Sequence, residues 1–203
     1  MKKIGVIFGG MSTEHEVSIS SGTSIISNLD KQKYEILPIY ISKSGEWYKY
    51  TKPVNDIVPL HVGDEITELE KIENEFECLK SLDIAFPVLH GLYGEDGTIQ
   101  GLLELLKIKY VGCKVLSSSI CMDKVYAKIV FDKAQIPQAD YAYVKAEKGK
   151  YTYVHKNFDE ETLDLDQICK KIEGKLGLPV FVKPSNSGSS VGINKAENIE
   201  ELK

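Results

Sequence analysis

The sequence predicts an α/β protein with an open parallel sheet, followed by a smaller region of mixed α+β structure. Short apolar runs alternate with helical patterns in the first part of the chain, which is typical of parallel strands joined by crossover helices. These runs cover 4–8, 35–41, 83–89 and 110–112. Residues 141–145 and 151–155 then alternate between apolar and polar, as paired antiparallel strands do. We therefore expect a first domain of residues 1–121 and a second region of residues 122–203.

Apolar residues at helical spacing predict the helices between these strands. The clearest example is residues 164–176, which Gly177 would end. Another pattern, Ile66, Leu69, Ile72, Phe76 and Leu79, predicts a helix over 66–79. Further helices are expected near 22–29, 98–107 and 124–134. The chain ends inside a helical pattern that begins near Asn198, so we expect a truncated second domain.

Composition excludes several classes of protein. The net charge of −5 argues against a nucleic-acid-binding surface. No apolar run reaches the ~20 residues that span a bilayer, and the N-terminal apolar stretch is too short for a signal peptide. The four cysteines form no C-x-x-C pair, so we expect reduced thiols in a cytoplasmic protein.

A glycine-containing loop follows the first strand, at Gly9-Gly10-Met11-Ser12-Thr13-Glu14-His15-Glu16. Glycines between a strand and a helix place backbone N–H groups where they can face a ligand. Glu16 then has two interpretations. With Thr13 it has the spacing of a capping box, or it faces a cleft and accepts a hydrogen bond from a substrate ammonium.

The loop from His90 to Gly97 follows the third strand, at the edge where open α/β sheets bind ligands. Three glycines in eight residues indicate special backbone angles or a close approach to a ligand. Glu95 and Asp96 have a structural alternative, because acidic residues stabilise the N-terminus of a following helix.

The second region contains two further candidate sites. Lys124 follows Met122-Asp123 and would by default be a solvated helix residue. Lys183 ends an apolar strand and precedes Pro184-Ser185-Asn186-Ser187-Gly188-Ser189-Ser190-Val191-Gly192. Such a loop of small residues is suited to fold over phosphates with its N–H and hydroxyl donors, although a flexible hairpin loop is the alternative.

Taken together, these segments resemble the D-alanine–D-alanine ligases over essentially the whole chain. The matching strings are residues 8–10 with 14–18, 89–91 with 94–101, 122–124, and 179–184 with 188–192. The resemblance implies a pre-ATP-grasp α/β domain followed by the first part of an ATP-grasp domain. It also implies ATP-dependent ligation of two D-alanines through an acyl phosphate, for peptidoglycan synthesis.

The resemblance also implies roles for individual residues. Glu16 and Ser189 would be catalytic, with Ser189 in a hydrogen-bond network with Glu16. Substrate would be bound by Glu16, Val17, His90, Glu95 and Ser189. ATP would be bound by Lys124, Lys183, Ser187, Ser189 and Ser190.

By the same resemblance, the partners are D-alanine, ATP and Mg²⁺ or Mn²⁺, and the full-length form is a homodimer. The metal ligands and an oxyanion-binding arginine would lie beyond residue 203. The absence of arginine fits this expectation, because all 25 basic residues are lysines.

Three alternatives stay open. A D-alanine–D-lactate or D-alanine–D-serine ligase would share these motifs, since the residues that select the second substrate would lie beyond the chain. Another ATP-grasp carboxylate–amine ligase would lack the Glu16 and His90 motifs. A non-catalytic module that binds D-alanine or nucleotide weakly is the alternative from another class.

We expect the 203-residue chain to be inactive on its own, because the arginine clamp for the tetrahedral intermediate would be missing. The measurement is phosphate release from ATP in the presence of D-alanine. Clear D-alanine-dependent turnover by this chain would contradict the expectation.

Overall fold

A computed structural model describes all of residues 1–203. The chain forms two compact units, Met1–Met122 and Asp123–Lys203. The boundary lies one residue from the position expected from the sequence. This division concerns compactness alone, and the binding roles of the two units stay predictions.

The first unit is built on a six-stranded sheet. Its strands are β1 Lys2–Gly9, β2 Tyr34–Ile41, β3 Trp47–Tyr50, β4 Leu69–Lys71, β5 Ile84–Pro87 and β6 Lys109–Tyr110. They lie in the order β4-β3-β2-β1-β5-β6. β1 pairs in parallel with β2 and β5, and β5 pairs in parallel with β6. β3 and β4 extend the sheet in antiparallel fashion. The expected parallel sheet is confirmed.

Four helices belong to the first unit. They are α1 His15–Asn28, α2 Glu75–Lys80, α3 Thr98–Leu105 and α4 Val115–Met122. A 3-10 helix covers Val54–Asp56. Helix α4 was not expected from the sequence. No helix of the protein has the length and apolar character needed to cross a membrane.

The central strand β1 is buried on both faces. Ile4, Val6 and Phe8 pack in one apolar cluster, which also contains α1 residues. Ile7 packs in a second cluster, with residues of α3. This two-residue alternation explains why the sequence is apolar without interruption from Ile4 to Phe8, as in a parallel strand between two helical layers.

The helix expected over residues 66–79 is wrong. The segment forms strand β4, a break, and then the short helix α2. Glu68 has a positive φ of 61°, which a helix does not accept. Asn74 accepts a hydrogen bond from the N–H of Glu77 and so begins a new helix in the middle of the apolar pattern.

The second unit contains two small antiparallel sheets. A three-stranded sheet and a two-stranded sheet have the orders β7-β8-β9 and β10-β11. The elements are α5 Lys124–Lys133, β7 Tyr143–Glu147, β8 Lys150–Val154, β9 Glu160–Leu163, α6 Leu165–Leu176, β10 Val180–Val182, β11 Asn194–Ala196 and α7 Ile199–Leu202. The mixed α+β character expected for this region is confirmed. Gly177 ends α6 with a positive φ of 70°, as expected.

Strand β9 was not expected, because its sequence Glu160-Glu161-Thr162-Leu163 lacks apolar alternation. It is held by pairing with β8 and by ion pairs between its acidic residues and lysines. Lys145 pairs with Glu160, and Lys171 of α6 pairs with Glu161. Charge complementarity and backbone pairing therefore form this strand in place of an apolar face.

Gly9→Ala is expected to destabilise the first unit by about 2–5 kcal/mol, because an added Cβ would lie 2.2 Å from the carbonyl oxygen of Ile41 at a φ of +89°. Gly101→Ala is the matched control. It lies within α3 with no atom within 4 Å of the added Cβ, and is expected to stabilise by about 0.5–1 kcal/mol. Urea unfolding followed by the fluorescence of Trp47, the single tryptophan, measures both. Equal stability of the two variants contradicts the prediction.

Candidate functional site

The candidate site of the first unit lies where the sheet changes direction. From β1 the chain passes through α1 to β2 on one side, and later returns to β5 on the other side of β1. The carboxyl ends of β1 and β5 therefore form a topological switch point, where open α/β sheets bind their ligands. The loops that follow these two strands are the ones that the sequence singled out.

The loop after β1 depends on two glycines. Gly9 and Gly10 have φ values of 89° and 92°, which side chains disfavour. The N–H of Gly10 donates to the carbonyl oxygen of Ile41, at 2.8 Å. This turn leads the chain away from the sheet edge and into helix α1.

Two serine hydroxyls connect the loops after β1 and β5. Ser12 Oγ donates to the carbonyl oxygen of His90 at 2.7 Å and accepts from the N–H of Glu14 at 3.1 Å. Ser18 is fully buried, where it accepts from the N–H of Gly9 at 2.9 Å and donates to the carbonyl oxygen of Val88 at 2.7 Å. The two loops are thus held in one arrangement.

His15 is buried and has a partner at both ring nitrogens. Its Nδ1 lies 2.6 Å from the carbonyl oxygen of Gly10, and its Nε2 lies 3.2 Å from the hydroxyl of Tyr40. Because a carbonyl oxygen accepts, Nδ1 donates there and Nε2 of the neutral ring accepts from Tyr40. Burial, with a smaller contribution from Tyr48, raises the pKa of Tyr40, so its hydroxyl keeps its proton and acts as donor. His15 therefore stabilises the loop.

Glu16 lies in the first turn of α1, where a negative charge interacts favourably with the helix dipole. The capping-box alternative is not supported. The helix begins at His15, one residue later than a capping box at Thr13 and Glu16 requires, and its N-cap residue is Glu14. No side chain makes a capping hydrogen bond there. A turn in which the N–H of His15 donates to the carbonyl oxygen of Ser12 precedes the helix. The Glu16 carboxylate is 44% exposed and pairs with Lys43 at 3.0 Å. The next residue, Val17, is exposed.

His90 has a polar neighbour on each side of its ring. Its Nε2 lies 3.1 Å from Ser21 Oγ of α1, and its Nδ1 lies 3.7 Å from Glu95 Oε1. Gly91 has a φ of 65° and lies close to the carboxylate of Glu14. A Cβ added to Gly91 would be 2.5 Å from Glu14 Oε2, so a side chain there would clash. The structure thus places His90 and Glu95, both predicted site residues, side by side.

Asp96 has the structural role that the sequence offered as an alternative. Its carboxylate accepts from the N–H groups of Tyr93 and Thr98, both at 2.9 Å, and so supports the start of α3. Burial alone would raise the pKa of Asp96, but these hydrogen bonds outweigh burial and lower it.

In the second unit, Lys124 holds the small-residue loop against the start of α5. Its backbone N–H donates to the carbonyl oxygen of Ser185 at 2.7 Å, and its ammonium donates to the carbonyl oxygen of Ser187. Asp123 caps the helix by accepting from the N–H of Val125 at 2.8 Å. The ammonium contacts a neutral carbonyl, so its charge is not neutralised there. Lys124 is thus not the freely solvated lysine of the default interpretation.

Lys183 is exposed directly after β10, and its ammonium lies 5.9 Å from the centroid of the Phe181 ring. The loop beyond it turns through positive φ values at Ser189, Ser190 and Gly192 of 47°, 60° and 72°. The N–H of Val191 donates to the carbonyl oxygen of Gly188 at 3.0 Å. Because β10 and β11 pair in antiparallel fashion, this segment is the loop of a hairpin, as the structural alternative predicted, and its backbone contains a turn at residues 188–191. Its phosphate-binding role stays a prediction.

The residues present do not fit a metal site, since no group of three or more histidine, cysteine or acidic side chains is arranged to hold an ion. All four cysteines are free thiols. Sequence reasoning missed Ser12, Ser18, Ser21 and Lys43, whose partners lie far along the chain. No local pattern indicates such contacts.

Solved structures share this fold over nearly the whole chain. The VanG D-Ala:D-Ser ligase from Enterococcus faecalis is 36% identical with a TM-score of 0.74, covering 99% of this chain and 57% of that one. A D-alanine–D-alanine ligase from Bacillus anthracis, complexed with ATP, is 34% identical with a TM-score of 0.65, covering 100% of this chain and 52% of that one. The fold is therefore that of the ATP-grasp ligases.

Sequence comparison identifies the family within that class. The family described as D-ala D-ala ligase N-terminus matches residues 3–113, and the one described as D-ala D-ala ligase C-terminus matches residues 130–203. The chain belongs to the D-alanine–D-alanine ligase family, as its motifs predicted. The D-alanine–D-alanine ligase of Clostridium acetobutylicum is 50% identical over 204 residues, covering 99% of this chain and 55% of the relative. The chain thus spans about half the length of the curated relatives it matches.

Asp96→Ala is expected to cost about 1 kcal/mol at neutral pH, because it removes the acceptor for two N–H groups near the start of α3. The pKa of Asp96 is lowered below its ordinary 3.8 in the folded state, so its stabilisation is full above that value and is lost as the pH falls through the folded pKa. Urea unfolding of both proteins between about pH 7 and pH 3 tests this. A stability difference that does not shrink with falling pH contradicts it.

Proposed function

We propose that the protein containing this chain joins two D-alanines in an ATP-dependent reaction for peptidoglycan synthesis. The observation that carries the proposal is the exposed Glu16 carboxylate at the switch point of the sheet, which already holds an ammonium, that of Lys43, at 3.0 Å. A carboxylate so placed suits the ammonium of an amino acid. The family and the names of the relatives support the same reaction.

In the proposed site, Glu16 binds the ammonium of the first D-alanine. His90, held between Ser21 and Glu95, presents its ring beside the same loops. Val17 offers an exposed apolar surface for the substrate methyl group. In the second unit, Ser189 is proposed, on the family resemblance, as a substrate-binding and catalytic residue.

The second unit is proposed to bind the phosphates of ATP. Lys124 and Lys183 supply ammonium groups, and Ser187, Ser189 and Ser190 supply hydroxyl and N–H donors. The ordered turn at positive φ after Gly188 supports this, because consecutive N–H groups in such turns form anion-binding concavities. The Bacillus anthracis ligase was solved in complex with ATP, which supports the nucleotide as substrate.

The proposed reaction has two steps. An oxygen of the first D-alanine carboxylate attacks the γ-phosphorus of ATP, and ADP leaves. The amine of the second D-alanine then attacks the acyl phosphate, and phosphate leaves as the amine loses a proton. A bound Mg²⁺ or Mn²⁺ would neutralise phosphate charge.

D-serine as the second substrate is the other candidate, because the chain is 36% identical to the VanG D-Ala:D-Ser ligase. The proposed role of Glu16 concerns the first substrate and holds in either case. A homodimer and a location in the cytoplasm complete the proposal, and both rest on the family resemblance.

Glu16→Gln in the full-length protein is expected to raise the KM for the first D-alanine about 10- to 100-fold, because a charge-assisted hydrogen bond is worth about 1.5–3 kcal/mol. Lys183→Met is expected to raise the KM for ATP about 10-fold and to leave that for D-alanine near its original value. Steady-state kinetics of phosphate release measure both.

Lys195→Met is the matched control for Lys183→Met. Lys195 lies on the neighbouring strand β11, where it pairs with Glu197 outside the proposed site. The kinetic constants of the Lys195→Met variant are expected to stay within twofold of those of the unmodified protein. An unchanged KM for D-alanine in Glu16→Gln would refute the proposed substrate site.

A further inference from the structure

The turn between β2 and β3 carries a lysine to the candidate substrate carboxylate. Lys43 lies two residues beyond the end of β2, at the same sheet edge as the loop after β1. Its ammonium is 3.0 Å from Glu16 Oε1, and the side chains of Lys43 and Glu16 are 65% and 44% exposed. Solvent and substrate therefore have access to both groups.

The position of this turn is set by several contacts. The N–H of Ser42 donates to the carbonyl oxygen of Glu46 at 2.9 Å, and the N–H of Gly45 donates to the carbonyl oxygen of Ser42 at 3.0 Å. Ser42 Oγ also accepts from the N–H of Glu46 at 3.0 Å. Gly45, with a φ of 89°, lies so close to the loop after β1 that an added Cβ would meet Met11 Sδ at 2.6 Å. The backbone that carries Lys43 is thus held beside the loop that carries Glu16.

We infer that Lys43 is a placeholder cation, which occupies the Glu16 carboxylate in the free protein and gives way to the ammonium of the first amino-acid substrate. This inference rests on the proposed function of Glu16. Both cations need the same carboxylate, and each is an ammonium with three donors. Binding of the substrate then exchanges one ammonium for another, so the existing pair weakens the measured affinity.

The size of the effect follows from the exposure of the pair. Exposed lysine–carboxylate pairs are weak, so the competition lowers the affinity for substrate by about two- to fivefold.

Lys43→Met in the full-length protein tests the inference by steady-state kinetics at saturating ATP. The KM for the first D-alanine is expected to fall about two- to fivefold, while kcat and the KM for the second D-alanine stay unchanged. Lys43→Arg keeps the charge and is expected to retain the original KM. An unchanged or raised first KM in Lys43→Met overturns the inference.

Lys49→Met is the matched control, since Lys49 forms a similar exposed pair with Glu70 on the adjacent strand, at 3.3 Å. The kinetics of this variant are expected to match those of the unmodified protein.

A double-mutant cycle separates the inference from the proposed function. In a Glu16→Gln background, Lys43→Met should have no further effect, because its partner is gone. An equal fall in the first KM there would overturn the placeholder role. By contrast, the absence of D-alanine-dependent phosphate release in the unmodified full-length protein would overturn the proposed function itself.

Discussion

Gly9 passes so close to the carbonyl oxygen of Ile41 that no side chain fits between β1 and β2 at that point. The arrangement of the first unit depends on this approach. It lets the N–H of Gly10 bond to the same oxygen and turns the chain out of the sheet just where β1 ends. Helix α1 then starts in a position from which Ser18 reaches back to the N–H of Gly9. The first turn of α1, with Glu16 in it, is placed by that return.

The serine hydroxyls extend this order to the neighbouring strand. Ser12 and Ser18 bond to backbone carbonyl oxygens at His90 and Val88, and Ser21 bonds to the ring of His90. These hydrogen bonds join α1 and the loop after β1 to the loop after β5. Within this frame Glu16 and Lys43 keep exposed, charged side chains. The unit therefore combines a tightly bonded backbone with an exposed carboxylate–ammonium pair beside the loop after β1.

In the second unit, a lysine and two residues with positive φ shape the loop between β10 and β11. The backbone N–H and the ammonium of Lys124 donate to two carbonyl oxygens of this loop. Ser189 and Ser190, which are consecutive and have positive φ, turn its backbone. Such angles cost about 1–3 kcal/mol for residues other than glycine, and they persist where the surrounding structure enforces them.

The sequence by itself determined the parallel sheet, the apolar strand β1, helix α6 with its terminal glycine, and the two glycine-rich loops at the sheet edge. These features are local, because periodicity and glycine spacing record how each segment is buried or turned. The tertiary structure alone decided the break at Glu68, the polar strand β9, the late start of α1 and the pairing of Lys43 with Glu16. Ser12 and His90 are 78 residues apart, and Ser18 and Val88 are 70 apart. Contacts of this kind leave no periodic trace in the sequence, since a hydroxyl or an ammonium takes whichever partner the fold brings to it.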